Sequence, residues 1–275
     1  MSGTRSQPFG LDITSVANPR VKHLVALRRR RVRDAERVTL VEGFEELDLA
    51  LSCGVRPLTL WHCPELGAGT AELADRAAGL GAEVVRVSQD VFRKIAYRES
   101  PDGWLAVVPA VGASLAELAV PADPLILVCQ GVEKPGNLGA ILRTADAAGV
   151  AAVLATDPVT DWGNPNVIRA SKGTIFSVPV ASANSDEALS WLAEHDVGIV
   201  AATPSARVLL HQADLTGPRA IAVGAEKHGL SDQWLDQAAI RVRIPMFGRA
   251  DSLNVATSAA VICYEAVRQR LVRTP

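Results

Sequence analysis

Five polar residues in three short stretches are spaced to do chemistry together. Asn137 and Arg143 lie in NLGAILRTADAAGV, Glu226 in VGAEKHGLS, and Ser252 and Asn254 in IPMFGRADSLNVA. Each stretch follows an apolar run of strand length, at 125–129, 220–223 and 240–244, and each passes through glycine or proline. Loops at the carboxyl ends of parallel strands are where open α/β sheets bind ligands, and glycines let the backbone come close to what is bound. Ser252 is placed as the N-cap of a helix beginning at Leu253, its hydroxyl accepting an orphan N–H of the first turn. Two strand ends and one helix start could therefore build one pocket.

Other chemistries fit poorly. Gly131 to Gly136 has the glycine spacing of a P-loop, but Asn137 and Leu138 stand where the phosphate-binding lysine and the magnesium-binding hydroxyl are needed. No strand runs into GxGxxG with an acid about 20 residues on, so a dinucleotide site is not expected. His23, His62, His195, His211 and His228 are scattered, and Cys53, Cys63, Cys129 and Cys263 lack metal-ligand spacing; no metal is expected, and the thiols are read as reduced and mostly buried.

The elements that must position these residues alternate strand and helix. With 275 residues, 48% apolar and 21% charged, the chain has room for two modest cores. Strands are expected at 39–43, 57–62, 83–87 and 105–109 with helices at 44–52, 71–79 and 90–96, giving a small α/β domain over 37–109. An Ala/Pro/Gly-rich linker follows over 110–122. From 123 to 275, strands at 125–129, 151–155, 177–180, 197–202, 220–223 and 240–244 are nearly continuous in apolar residues, as in a parallel sheet covered on both faces. The net charge of −2 does not announce a nucleic-acid partner, but residues 1–36 are basic. Residues 1–12 read as a tail; residues 13–36 read as a turn at Asn18-Pro19 and then one helix carrying Arg28, Arg29, Arg30 and Arg31, which serves either as a solvated face or as a phosphate-contacting arm. No signal peptide or membrane-length apolar run is visible, which predicts a cytoplasmic protein.

In order, loop placement and lettering, the three stretches resemble the motifs of the SpoU/TrmH family of RNA ribose 2′-O-methyltransferases, in the SPOUT superfamily, including ribosomal RNA enzymes of the avilamycin and thiostrepton resistance types. The opening around Asn18-Pro19-Arg20 and the strand ending Leu40-Val41-Glu42-Gly43 are similar to the L30e-like RNA-binding domain preceding the catalytic domain in many such enzymes. The resemblance implies an α/β SPOUT domain with a deep trefoil knot, a homodimer, S-adenosylmethionine as cofactor, and 2′-O-methylation of RNA, 23S ribosomal RNA above transfer RNA. A non-catalytic RNA-binding protein of the same fold is the alternative.

The resemblance also assigns roles. Arg143 matches the catalytic arginine, as base or as stabiliser of the oxyanion and the adjacent phosphate; stabilisation is the easier account, because a free guanidinium is effectively always charged. The residues alone leave open a surface ion pair with Asp146. Asn137 orients Arg143 or the ribose, Glu226 orients an arginine or its own loop, and Ser252 and Asn254 lie near the ribose. Gly224, Ile244, Met246 and Leu253 match the cofactor slot, with Asn254 beside them; Thr203, ending the strand at 197–202, is expected to line the same cleft. Arg169 matches a phosphate-binding arginine whose neighbours Ser171, Lys172 and Gly173 suit a phosphate-facing turn. Many relatives carry an acidic residue before proline where this chain has Glu133-Lys134; Lys134 adds positive charge beside the RNA path.

Overall fold

The computed structural model describes residues 11–67 and 69–273. They form two compact units: the chain up to Val111 with Gly163–Ser177, and Gly112–Trp162 with the chain from Val178 onward. Of the tail read over 1–12, positions 1–10 lie outside the described residues; the rest is not tail but the start of a strand.

The first unit runs β1 (Leu11–Ile13), α1 (Pro19–Ala26), α2 (Arg30–Glu36), β2 (Val38–Glu42), α3 (Phe44–Ser52), β3 (Thr59–His62), α4 (Glu72–Gly79), β4 (Glu83–Val87), α5 (Gln89–Ile95) and β5 (Trp104–Pro109). Its sheet has the order β1-β4-β3-β5-β2. β4 pairs parallel with β1 and β3, while β5 is antiparallel to β3 and β2. Val21, Leu24 and Leu27 pack with Phe92, Ile95, Val85 and Leu105 in its core.

The expected single helix over the basic segment is broken in two. Asn18 caps α1, accepting Arg20 N–H at 2.9 Å, with Pro19 in the first turn. Arg33 ends it: its buried guanidinium donates to the carbonyls of Leu27 (3.2 Å) and Arg28 (3.1 Å), which satisfies orphan acceptors beyond the last turn and lets the chain bend. Other arginines are also built into the unit. Arg28 donates to the carbonyls of Lys94 (3.0 Å) and Ala96 (2.6 Å) and lies over Tyr97; Arg30 pairs with Asp34 at 3.4 Å. Arg29 and Arg31 are exposed.

The second unit runs β6 (Leu125–Gln130), α6 (Pro135–Ala147), β7 (Ala152–Thr156), β8 (Val180–Ala183), α8 (Ser185–Glu194), β9 (Gly198–Ala202), β10 (Val208–Leu209), β11 (Arg219–Gly224), α9 (Asp232–Asp236), β12 (Ile240–Arg243) and α10 (Val255–Arg273). All pairings in its sheet, order β10-β12-β9-β11-β6-β7-β8, are parallel. The strand expected at 177–180 begins instead at Val180, after a 3-10 turn at Thr174–Phe176; Pro179 has no N–H to give a ladder. β10 escaped the sequence because two residues carry no period. The intervening helix α7 (Pro165–Ala170) belongs to the first unit and lies against β2, where Thr39 Oγ1 donates to Gly163 O at 2.5 Å.

His62 is buried with its ring stacked on Trp104, centroids 3.8 Å apart, and burial pushes its imidazole down to about 4 from 6.5. A base whose folded-state value is depressed stabilises the fold above its unfolded value. That stability is lost as pH falls from about 6.5 toward 4, because the unfolded chain takes the proton first. Wild type should therefore lose roughly 2–3 kcal/mol relative to His62→Phe between pH 7 and pH 4, at about 1.4 kcal/mol per unit, read by calorimetric unfolding of both proteins. A gap constant across that range would show that the ring is not held neutral.

Candidate active site

β9, β11 and β12 are neighbours, and their carboxyl ends open into one cleft of about 850 Å³, within the size range of cofactor sites. Three loops leaving the carboxyl ends of parallel strands meet here, the usual place for a ligand in such a sheet. Thr203, Gly224, Ile244, Met246, Leu253 and Asn254 all line the cleft, with Glu226, Ser252 and Lys134. Ile244 is half-buried and Leu253 is 36% exposed, so neither is plain core; both offer apolar surface to the cleft.

Gly224 has a steric reason. A Cβ there would run into the backbone of Gly229 and Leu230, because the loop folds back on the strand end, Gly229 N–H donating to Ala225 O at 2.8 Å. The loop is pinned from its far side as well. Gln130, opposite Gly224 in the sheet, donates to Ser231 Oγ (3.0 Å) and accepts Ser231 N–H (2.9 Å). Gln130 also reaches Asp157 and Ser185, each at 3.3 Å, and Ser185 Oγ takes the Trp234 indole N–H at 2.7 Å. Burial pushes the Asp157 carboxyl up, but hydrogen bonds from Ser185 and Gln130 outweigh it and hold the group below its ordinary value.

Three of the five polar residues meet. Asn137 donates through Nδ2 to Glu226 Oε1 and accepts at Oδ1 from Asn254 Nδ2 at 3.2 Å. Asn254 also caps α10: its Oδ1 takes Ala256 N–H at 2.9 Å. The cap is thus Asn254 and not Ser252, and the helix starts two residues later than expected. Asn254 directly precedes the helix and can satisfy an N–H there, whereas Ser252 Oγ turns to Asp251 at 3.3 Å.

Arg143 stands apart. It is exposed on α6, outside the cleft lining, and six residues beyond Asn137, about 9 Å along the axis. No ion pair with Asp146, or with any other described residue, engages it. Arg169 is exposed on α7, in the first unit. The turn after it does not present a hydroxyl outward: Ser171 is buried and donates to Ile168 O at 2.8 Å, and Lys172 is 3.9 Å from Glu45. Sequence reading missed Lys227, His228, Asp232 and Ser258 in the lining. Ser258 was findable, one helical turn beyond Asn254 on the same face.

A parallel sheet with a crevice of mixed apolar and polar side chains at the carboxyl ends of its strands is the layout of a cofactor-using α/β enzyme. The chain belongs to the SpoU rRNA methylase family, whose model matches residues 124–264; residues 18–106 match the MRM3-like substrate binding domain. It is 32% identical to the 23S rRNA (uridine(2479)-2′-O)-methyltransferase of Streptomyces viridochromogenes, over 96% of this chain and 94% of that one. A crystal structure of an RNA 2′-O ribose methyltransferase matches with a TM-score of 0.82 and 44% identity, covering 94% of this chain and 99% of that one. The AdoMet-bound rRNA methyltransferase of Sinorhizobium meliloti matches at 0.86 and 30%, covering 94% and 98%.

The cleft fits an adenosyl group: Ile244, Met246 and Leu253 supply apolar wall, and the folded-back loop at Gly224 exposes backbone in place of a side chain. Gly224→Ala should weaken S-adenosylmethionine binding about tenfold or more in calorimetry while the far-ultraviolet circular dichroism stays native; unchanged affinity would place the cofactor elsewhere. Asn254→Ala should lower Tm by about 2–4 °C, a cap being worth about 1 kcal/mol, whereas Asn254→Ser should restore most of that loss. Equal Tm values for all three proteins would deny the cap.

Proposed function

We propose that this chain transfers the methyl group of S-adenosylmethionine to a ribose 2′-hydroxyl of RNA, with 23S ribosomal RNA as the substrate. The observation that carries the reading is the meeting of Asn137, Glu226 and Asn254 at the edge of the cleft formed by β9, β11 and β12. Bound there, the cofactor supplies a sulfonium-activated methyl group, so no metal is required. Thr203, Gly224, Ile244, Met246, Leu253 and Asn254 hold it.

Reaction then needs the 2′-hydroxyl about 3–3.5 Å from the methyl group, in line with the bond that breaks. Asn137 and Asn254 each have both ends of the side-chain amide engaged, which fixes their orientation beside the ribose. Glu226 holds Asn137 in that orientation. The hydroxyl is a poor acid, and a guanidinium beside the developing oxyanion lowers the barrier electrostatically; Arg143 is the group for this. Because it stands off from its own cleft, a homodimer that brings Arg143 of a second copy to the site completes the reading. Val261 and Tyr264, exposed on α10, which packs against α6, offer apolar surface for that pairing. The family reading adds that α10 is threaded through an earlier loop as a trefoil knot, and that the protein works in the cytoplasm. Among the described residues no helix is long and apolar enough to cross a membrane.

Arg29, Arg31, Arg169 and Lys134 are exposed cations suited to RNA phosphates. Arg28 and Arg30 also reach solvent, with their head groups partly committed to the protein.

Incubating the protein with labelled cofactor and unmodified 23S ribosomal RNA, then digesting the RNA to nucleosides, should release a 2′-O-methylated nucleoside. Label found only on base nitrogens, or none on ribosomal or transfer RNA, would end the reading. Arg143→Ala should lose turnover by at least a hundredfold with cofactor affinity within about twofold of wild type. Arg29→Ala/Arg31→Ala should weaken RNA binding and flatten the slope of log K against log salt by about 1–2; an unchanged slope would return those arginines to a solvated face.

A further inference from the structure

Phe247 is 96% exposed. Leaving a phenylalanine in water forgoes a favourable burial, and this chain has few aromatics to spare: five Phe among 275 residues. Its position is specific. Met246 on one side and Asp251, Ser252, Leu253 and Asn254 on the other line the cleft, so residues 247–250 form the part of that loop standing outside it. Gly248 has nothing within 4 Å of where a side chain would start. Arg249 is exposed and engages no other described residue.

We propose that Phe247 is a stacking platform for an unpaired base of the RNA substrate at the mouth of the cleft, with Arg249 beside it on the neighbouring phosphate or base face. The inference rests on the proposed function. A ribose hydroxyl that enters the cleft must leave its own base, or the next one, near the rim. Sequence-selective RNA recognition splays such bases out and stacks them on aromatic rings and guanidinium planes. A contact with a second copy of the chain fits less well. Interface cores are contiguous apolar patches poor in charge, whereas Phe247 stands alone among Gly248, Arg249, Ala250 and Asp251, all exposed.

The test compares wild type, Phe247→Ala and Phe247→Trp. It measures affinity for a 23S ribosomal RNA transcript by filter binding, methyl-transfer kcat/KM, cofactor Kd by calorimetry, and mass by light scattering. Phe247→Ala should bind the transcript and turn it over about tenfold to a hundredfold less well, the range of one lost base stack, with cofactor Kd within twofold and mass unchanged. Phe247→Trp should stay near wild type. Wild-type RNA affinity in Phe247→Ala overturns the platform, and so does a loss that comes with altered mass or altered cofactor Kd. A wild-type protein that binds the transcript but transfers no methyl group sinks the proposed function instead, and the RNA-affinity ratio still decides the platform.

Discussion

The site depends on one amide. Asn137 uses both ends of its side chain, giving a proton to Glu226 and taking one from Asn254. Asn254 in turn accepts the N–H of Ala256. The donor and acceptor directions are consistent along the whole run, from a helix N–H through two amides to a carboxylate. An aspartate at 137 would set two acceptors facing each other and leave Asn254 as the sole donor between them. The three segments tied together lie at 137, 226 and 254, so no local preference brings them into contact; the sheet must.

The parallel sheet does so by placing strands that are distant in sequence side by side. β11 pairs with β6 on one edge and β9 on the other, and Ala220 to Val223 are buried. With the strand fixed from both sides, its outgoing loop has little freedom, and the remainder is removed at two points. Gly224 admits Gly229 and Leu230 against the strand end, and Gln130 grips Ser231 from the adjacent strand. The polar residues at the cleft edge can be exposed and still ordered because the elements beneath them are apolar and closely packed.

Much of this was legible from residue types. Strands such as LILVC and AIAV are apolar on both faces; their shortness and the glycine or proline close to their ends, not any period, mark them as strands of a covered parallel sheet. Thr203, Gly224, Ile244 and Met246 sit at or just beyond strand ends, so their shared location at the cleft could be read. What could not be read came from competition between equivalent signals or from distant partners. Ser252 and Asn254 are both good caps, and only the path of the loop decides that Asn254 takes the role. Four consecutive arginines look like a solvated face, yet Arg28 finds the carbonyls of Lys94 and Ala96 far along the chain, and Arg33, just beyond the run, turns inward to end a helix. The hydroxyl of Ser171 looked available for phosphate, but a buried turn consumed it.

The stretch from Gly163 to Ser177 lies in the middle of the second unit's sequence, yet it packs as part of the first. The backbone therefore passes between the two bodies three times. Neither half is a module that a single cut could release: ending the chain at residue 111 would strip α7 from β2 and leave Thr39 without the carbonyl of Gly163. Exchange of the front half between relatives by one recombination event is handicapped for the same reason, since each new front sheet must suit a helix encoded well downstream. Residues 163–177 and the front sheet are thereby constrained to change together, although residues 112–162 of the other body separate them in the chain.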